Sequence, residues 1–141
     1  MPQITAILET SLYVADLDRA MKFYQELFAF PLMFEDERLR ALAVAGKHVL
    51  LLFKRGASAK PLPIERGDGA EFLPPHDGSG QYHLAFSISG DELPKWESLL
   101  ATKDIPIESR IHWQRGGTSI YFRDPDQNLV ELATPGIWPV Y

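Results

Sequence analysis

The period of the apolar positions changes twice within the first 55 residues. Residues 4–14 (ITAILETSLYV) predict a strand, and residues 16–30 (DLDRAMKFYQELFAF) carry apolar side chains at helical spacing. Asp16 or Asp18 can cap this helix, and Pro31 ends it. Three short apolar runs follow, separated by charged or glycine-containing turns, and predict three strands: LMFEDE, LRALAVAG and KHVLLLFKR. The predicted order of elements is therefore β-α-β-β-β.

The same order recurs in the second half of the chain. Residues 81–89 (QYHLAFSIS) predict a strand, and residues 91–104 (DELPKWESLLATKD) predict a helix with Pro94 in its first turn. Three further strands are predicted from IPIESRIHW, TSIYFRD and NLVELATP. Between the halves, a segment rich in glycine, proline and charge predicts a long connection, which in a compact domain is usually functional or mobile.

The repeat is one of element order, because the two halves share little sequence identity. Each half predicts a small sheet with one helix on one face. Since alternate strand residues point to opposite faces, two such sheets side by side leave a cup lined by every second residue. We expect an α+β fold of two βαβββ modules whose mostly antiparallel sheet surrounds a central site. The expected domain spans 1–141, with module one at about 4–55, a connection at 56–80 and module two at about 81–135.

Composition and charge narrow the class of protein. The 141 residues are 45% hydrophobic and 23% charged, which is typical of a soluble globular domain. The net charge of −5 argues against nucleic-acid binding, and the lack of cysteine excludes disulfides and thiolate chemistry. The first residues lack the pattern of a signal peptide, and no apolar run approaches the ~20 residues that span a bilayer. We expect a cytoplasmic protein with no nucleic-acid or membrane partner.

The last predicted hairpin contains a carboxylate between apolar residues. In SIYFRDPDQNLVELATP (119–135), Glu131 lies between Val130 and Leu132. Such a carboxylate needs water, a partner or a cation, because burying it alone is costly.

Three segments make the chain resemble the vicinal oxygen chelate superfamily, which includes glyoxalase I, extradiol dioxygenases, and fosfomycin- and bleomycin-resistance proteins. They are LYVADLDRAMKFYQELF, YHLAFSI and YFRDPDQNLVELATP, of which the last is the most specific. The resemblance covers nearly the whole chain and implies a divalent metal held by Glu9, His83 and Glu131. The fourth ligand position of glyoxalase I matches Leu51, which cannot bind a metal. A three-ligand site remains, as in the fosfomycin-resistance branch.

Strand alternation agrees with these ligands without requiring them. It groups Glu9 with Ser11 and Tyr13 on the more polar face of the first strand, which fits a cup or an edge strand turned to water. His83 is on the less apolar face of its strand, where it is a ligand or a satisfied structural residue. Two carboxylates and one imidazole suit Mn²⁺ and also permit Ni²⁺, Zn²⁺, Co²⁺ or Fe²⁺.

The resemblance also implies residues that contact substrate. Ser11 and Tyr121 occupy positions where the fosfomycin-resistance branch places substrate contacts, and with Glu131 they form the predicted catalytic set. Arg115, in a loop beside two glycines, could bring a guanidinium to an anion or be a solvated turn residue. Trp113 is a predicted substrate contact that could equally belong to the core. His76, in the long connection, is predicted to contact substrate as part of a lid, or is simply exposed.

Three functions follow from the resemblance. The first is a metal-dependent enzyme of the glyoxalase or fosfomycin-resistance type (lyase, isomerase or transferase) acting on a small organic substrate that chelates through oxygen. The second is a metal-free protein of the bleomycin-resistance type that sequesters a ligand. The third is an extradiol dioxygenase, which the replacement of one histidine by Glu9 disfavours. A homodimer is expected under all three.

Overall fold

The computed structural model describes residues 1–65 and 71–141, and within them it contains two α-helices, one 3₁₀ turn and ten strands. Their bounds, in chain order, are β1 (Glu9–Val14), α1 (Leu17–Phe28), β2 (Leu32–Glu35), β3 (Leu39–Val44), β4 (His48–Lys54), β5 (Leu62–Pro63), β6 (Phe72–Leu73), β7 (His83–Ser87), the 3₁₀ turn (Gly90–Glu92), α2 (Leu93–Thr102), β8 (Ser109–His112), β9 (Thr118–Arg123) and β10 (Leu129–Ala133). The α+β class and the two βαβββ modules are confirmed. None of these described helices is long and apolar enough to cross a membrane.

The chain divides into two compact units, Met1–Ser79 and Gly80–Tyr141. The sheet of the first unit has the order β1-β4-β3-β2, in which only the β1–β4 pair is parallel. Helix α1 contacts β3 and β4. Asp16 is the N-cap of α1, as one of the two predicted candidates, and its carboxylate accepts a hydrogen bond from the Arg19 amide at 2.9 Å.

One face of this first sheet forms the main core of its unit. The largest fully buried side chains there come from β1, α1, β3 and β4, and they are Leu12, Val14, Tyr24, Leu42, Leu50 and Leu52. The alternate residues of β1 are Glu9, which is exposed, and Ser11 and Tyr13, which are half-buried. The predicted alternation of β1 is thus seen from Ser11 onward.

Strand β1 begins at Glu9, five residues later than the predicted start at Ile4. Its pairing with β4 starts at Glu9 and Val49. The amide of Val49 donates to the carbonyl of Leu8, the residue just before β1, at 3.0 Å. Residues 4–8 have the sequence pattern of a strand, but they are exposed and outside the paired part of the sheet, because their partner strand β4 begins only at His48.

The predicted connection contains a short antiparallel hairpin, β5 with β6, which the sequence did not indicate. Residues 66–70, also within the predicted connection, lie outside the described residues. The end of the connection is fastened to the first unit. The amide of His76 donates to the carbonyl of Ser58 at 2.9 Å, and the amide of Gly56 donates to the carboxylate of Asp77 at 3.0 Å.

The second unit repeats the topology of the first. Its sheet has the order β7-β10-β9-β8, with a parallel β7–β10 pair and antiparallel neighbours elsewhere. Buried apolar residues of β9 and β10 form its core, with Leu100 of α2 also fully buried. An ion pair between Glu97 and Arg110 joins α2 to β8. Strand β10 therefore lies between two neighbours, and Glu131 is at its centre.

Candidate metal centre

Glu131 is a buried carboxylate in the middle of β10. The register places it beside Tyr121 of β9 on one side and Ala85 of β7 on the other. The residue is only 8% exposed, so its charge requires polar or cationic partners. Each of its two carboxylate oxygens has a different set of polar neighbours.

The oxygen Oε1 of Glu131 accepts two hydroxyl hydrogen bonds. The Ser119 hydroxyl donates at 2.5 Å, and the Tyr121 hydroxyl donates at 3.1 Å. Burial raises the pKa of the Tyr121 phenol, and the negative charge of Glu131 adds to that rise, against a lowering by a hydrogen bond with Ser119. The phenol therefore stays protonated near neutral pH and remains a donor.

The other oxygen, Oε2, faces the imidazole of His83, whose Nε2 lies 3.1 Å away. The Nδ1 atom of His83 lies 3.1 Å from the carbonyl oxygen of Leu129. A carbonyl oxygen can only accept, so Nδ1 carries the hydrogen, and in the neutral imidazole Nε2 presents a lone pair. That lone pair is directed at a carboxylate oxygen, which also accepts only.

Two acceptor atoms at this distance require a hydrogen or a metal ion between them. A proton on Nε2 would make an ion pair, and a divalent metal bound to both atoms is the alternative. Ligand atoms about 2.1 Å from one ion and at right angles to each other lie about 3.0 Å apart. The observed 3.1 Å therefore fits two adjacent metal ligands. The side chain of His83 is 51% exposed, which leaves a path for an ion.

The turn before β10 fixes the position of both groups. The buried carboxylate of Asp124 accepts from the amides of Asp126 and Asn128 and from the side-chain amide of Asn128, each at 2.9 Å. The side-chain oxygen of Asn128 accepts from the amide of Tyr82 at 2.9 Å. Asn128 thus joins the start of β10 to the residue before His83, and this sets the register that brings His83 and Glu131 together.

The third predicted ligand, Glu9, belongs to the first unit, where it is exposed on β1. Ser11, on the same strand, is half-buried and pairs with Leu51, the residue in place of a fourth ligand. Among residues 1–65 and 71–141, no three or more histidine, aspartate or glutamate side chains are grouped so as to hold a metal ion. The second unit by itself brings together two of the three predicted ligands.

The predicted substrate contacts are distributed unequally around this centre. The indole N–H of Trp113 donates to the Ser119 hydroxyl at 2.9 Å, so Trp113 belongs to the Glu131 network. Arg115 lies exposed in the turn between β8 and β9, outside that network. His76 lies in the first unit, where its Nδ1 is 2.6 Å from the hydroxyl of Tyr13.

Sequence reasoning missed Ser119 and Tyr13. Ser119 is fully buried, and its hydroxyl lies closer to the Glu131 carboxylate than the hydroxyl of Tyr121 does, at 2.5 Å against 3.1 Å. Its place two residues before Tyr121, on the same strand face, was the available signal. Tyr13 shares the face of Glu9 and Ser11, but its contact with His76 joins residues 63 positions apart and leaves no pattern in the sequence.

The sequence profile of the Glyoxalase/Bleomycin resistance protein/Dioxygenase superfamily matches residues 6–132. The chain belongs to this superfamily, and the resemblance to vicinal oxygen chelate proteins is confirmed. Among curated relatives, it is 28% identical over 123 residues to the metallothiol transferase FosB of Lysinibacillus sphaericus, an alignment that covers 86% of this chain and 76% of the relative.

Solved structures share the fold. A lactoylglutathione lyase from Agrobacterium tumefaciens superposes with a TM-score of 0.85 at 31% identity, over 98% of this chain and 99% of that one. The fosfomycin resistance protein FosX from Listeria monocytogenes, complexed with Mn(II) and a sulfate ion, gives a TM-score of 0.67 at 20% identity, over 94% of this chain and 91% of that one. At 20% identity, this second likeness shows the fold alone.

Proposed function

We propose that this protein is a divalent-metal-dependent enzyme that acts on a small organic substrate chelating through oxygen. The observation that supports the proposal is the distance of 3.1 Å between His83 Nε2 and a carboxylate oxygen of Glu131, with Nδ1 of the same ring bonded to the carbonyl of Leu129. The relatives named a metallothiol transferase and a lactoylglutathione lyase support a lyase, isomerase or transferase reaction. A cytoplasmic homodimer is the form we expect.

His83 and Glu131 would hold the metal, with Glu9 as the third ligand predicted from the superfamily. A divalent ion held there would supply Lewis-acid chemistry toward a substrate oxygen. The side chains around the metal would have different roles. Ser119 and Tyr121 hold Oε1 of Glu131, which directs Oε2 toward the open side where His83 is exposed. Mn²⁺, Ni²⁺, Zn²⁺, Co²⁺ and Fe²⁺ all suit an imidazole–carboxylate donor set.

Tyr121 is the best candidate to assist a reacting group. Its phenol is half-buried, adjacent to Glu131, and has a raised pKa because of burial, so it can donate a hydrogen bond or a proton to a developing oxyanion. Ser11 would orient substrate from the first unit, together with Trp113, Arg115 and His76 as predicted from the sequence. Of these five, Tyr121 is the one in direct contact with a proposed metal ligand.

A metal-free binding protein of the bleomycin-resistance type is the alternative, because a proton on His83 satisfies the same pair of atoms as a metal would. In that case the His83–Glu131 contact is an internal ion pair and the ligand binds elsewhere on the sheets. An extradiol dioxygenase is a further alternative within the superfamily. It would show as oxygen uptake with a catechol when the protein is loaded with Fe²⁺.

Elemental analysis of protein purified without chelators or affinity metals tests the proposal, followed by calorimetric titration of stripped protein with Mn²⁺. We expect about one ion per chain, and loss of binding in Glu131→Gln and in His83→Ala. His112→Ala is the matched control, since that imidazole is exposed on β8 and its ring nitrogen Nδ1 lies 2.9 Å from the hydroxyl of Thr118, away from the Glu131 carboxylate. Unchanged Mn²⁺ affinity in both site variants would overturn the metal assignment and favour the binding protein.

A further inference from the structure

A chain of hydrogen bonds runs from the partly exposed indole of Trp113 to the buried carboxylate. The indole N–H donates to Ser119 Oγ at 2.9 Å, and Ser119 Oγ donates to Glu131 Oε1 at 2.5 Å. An indole nitrogen can only donate, and a serine hydroxyl has one hydrogen. Because an ionised carboxylate oxygen can only accept, the one hydroxyl hydrogen of Ser119 is directed to Glu131, while the Ser119 oxygen accepts from Trp113.

This chain makes the two oxygens of Glu131 unequal. Oε1 accepts from Ser119 and from Tyr121, whereas Oε2 faces Nε2 of His83. Hydrogen bonds to an ionised acceptor are the stronger class, so the pair of donors at Oε1 holds the carboxylate plane in one orientation. The oxygen that remains for a cation is the one next to the imidazole.

The fold places Trp113 with little freedom. It directly follows β8, and its amide donates to the carbonyl of Gly117 at 3.1 Å across a tight turn. Gly117 has a φ of +77°, and a Cβ there would lie 2.6 Å from the carbonyl oxygen of Pro135. Only glycine fits this close approach to the segment after β10. The turn that carries Trp113 therefore lies against the segment that directly follows the strand of Glu131, and Thr118 and Thr134 are hydrogen-bonded across this approach.

We propose that Trp113 is a positioning residue for metal binding, acting through Ser119 to present Glu131 as a ligand through Oε2 alone. The inference rests on the proposed metal-dependent function and assigns Trp113 a task other than substrate contact. Outer hydrogen bonds of this kind commonly change metal affinity 10- to 100-fold when removed. The indole is 38% exposed, so its effect on Glu131 comes through the bond and not through burial of the carboxylate.

Trp113→Phe removes the N–H and keeps an aromatic ring, and Ser119→Ala removes the link to Glu131. We expect about a tenfold loss of Mn²⁺ affinity in Trp113→Phe, measured by calorimetry on stripped protein. Trp138→Phe is the matched control, because that indole is 67% exposed and its loss should leave the affinity unchanged. Urea unfolding of each variant verifies that the fold is intact.

The double variant distinguishes positioning from general loosening of the site. If Trp113 acts through Ser119, then Trp113→Phe has no further effect on Mn²⁺ affinity in the Ser119→Ala background. Additive losses would overturn the relay, as would wild-type affinity in Trp113→Phe. If the wild-type protein itself takes up no Mn²⁺, the proposed metal-dependent function fails and the inference falls with it. Wild-type binding with an unaffected Trp113→Phe refutes the inference alone.

Discussion

Asn128 is the residue whose removal tests most directly how the site is assembled. Its side chain is fully buried and makes two hydrogen bonds, one to the carboxylate of Asp124 and one from the amide of Tyr82, both at 2.9 Å. Asn128→Ala deletes both. A bond to a charged group contributes about 1.5–3 kcal/mol, and a neutral one about 0.5–1.5 kcal/mol. We expect a loss of about 2–4 kcal/mol in the free energy of unfolding.

That loss is a large part of the ~5–15 kcal/mol that stabilises a typical domain. Urea unfolding followed by circular dichroism at pH 7 measures it, and Asn128→Asp should be at least as unstable because it places a second carboxylate against Asp124. Gln127→Gly is the control within the same turn. Gln127 is exposed with a φ of +66°, so glycine is tolerated there, and we expect a change below about 1 kcal/mol.

The same variant should weaken metal binding without touching a ligand. The bond from Tyr82 to Asn128 sets the position of His83 relative to β10, so its loss lets the imidazole shift from Oε2 of Glu131. We therefore expect Asn128→Ala to bind Mn²⁺ more weakly than the wild type when both are folded, in buffer without urea. The reasoning is refuted if Asn128→Ala costs less than about 1 kcal/mol, or if the variant is destabilised yet binds Mn²⁺ as the wild type does.

Three other predictions concern local contacts. The raised pKa of Tyr121, caused first by burial, means that its contribution to stability is full below the ordinary tyrosine pKa and is lost as pH rises through the folded-state value. Alkaline urea titrations should show a steeper loss in the wild type than in Tyr121→Phe, and equal slopes would contradict this. Ala29→Gly should stabilise by about 0.5–1 kcal/mol, because Ala29 caps α1 with a φ of +55°, and calorimetric melting would detect no gain if the cap is unstrained. Tyr13→Phe should speed proteolysis within residues 71–79, because the hydroxyl bond to His76 is lost. A cleavage rate equal to that of the wild type would show that the backbone bonds around His76 suffice.

The helices and the order of elements could be predicted because their signals are local. Asp16 caps α1 and Pro94 lies in the first turn of α2, as the sequence indicates. The ends of strands are harder to predict, because a strand extends only as far as a neighbouring strand is present to pair with it. Residues 4–8 and 105–108 carry apolar residues at suitable positions but lie outside the ladders. The β5–β6 hairpin pairs two residues with two, which is too short to produce any periodic signal.

The candidate site divides in the same way. Glu131 and His83 could be predicted from strand alternation and the superfamily resemblance, and the structure brings them within 3.1 Å. Alternation places Ser119 on the face of Tyr121, but its bond to Glu131 also depends on how β9 is aligned with β10. The register pairs Ser119 with Ala133 and Tyr121 with Glu131, so both hydroxyls reach one oxygen from neighbouring rungs. A single sequence does not contain that alignment.

The segment that most strongly marks the superfamily is also the segment that sets this alignment. Asp124 and Asn128 form a closed set of hydrogen bonds within the turn, and Asn128 then reaches across to β7 through Tyr82. Three residues after Asn128, the chain arrives at Glu131 with its side chain on the face of His83. The turn therefore acts at a distance from this contact, by holding two strands in the register that places the imidazole of His83 beside a carboxylate oxygen of Glu131. A change of register by one residue would turn Glu131 to the opposite face, where Val130 and Leu132 are fully buried, and the contact between His83 and Glu131 would be lost.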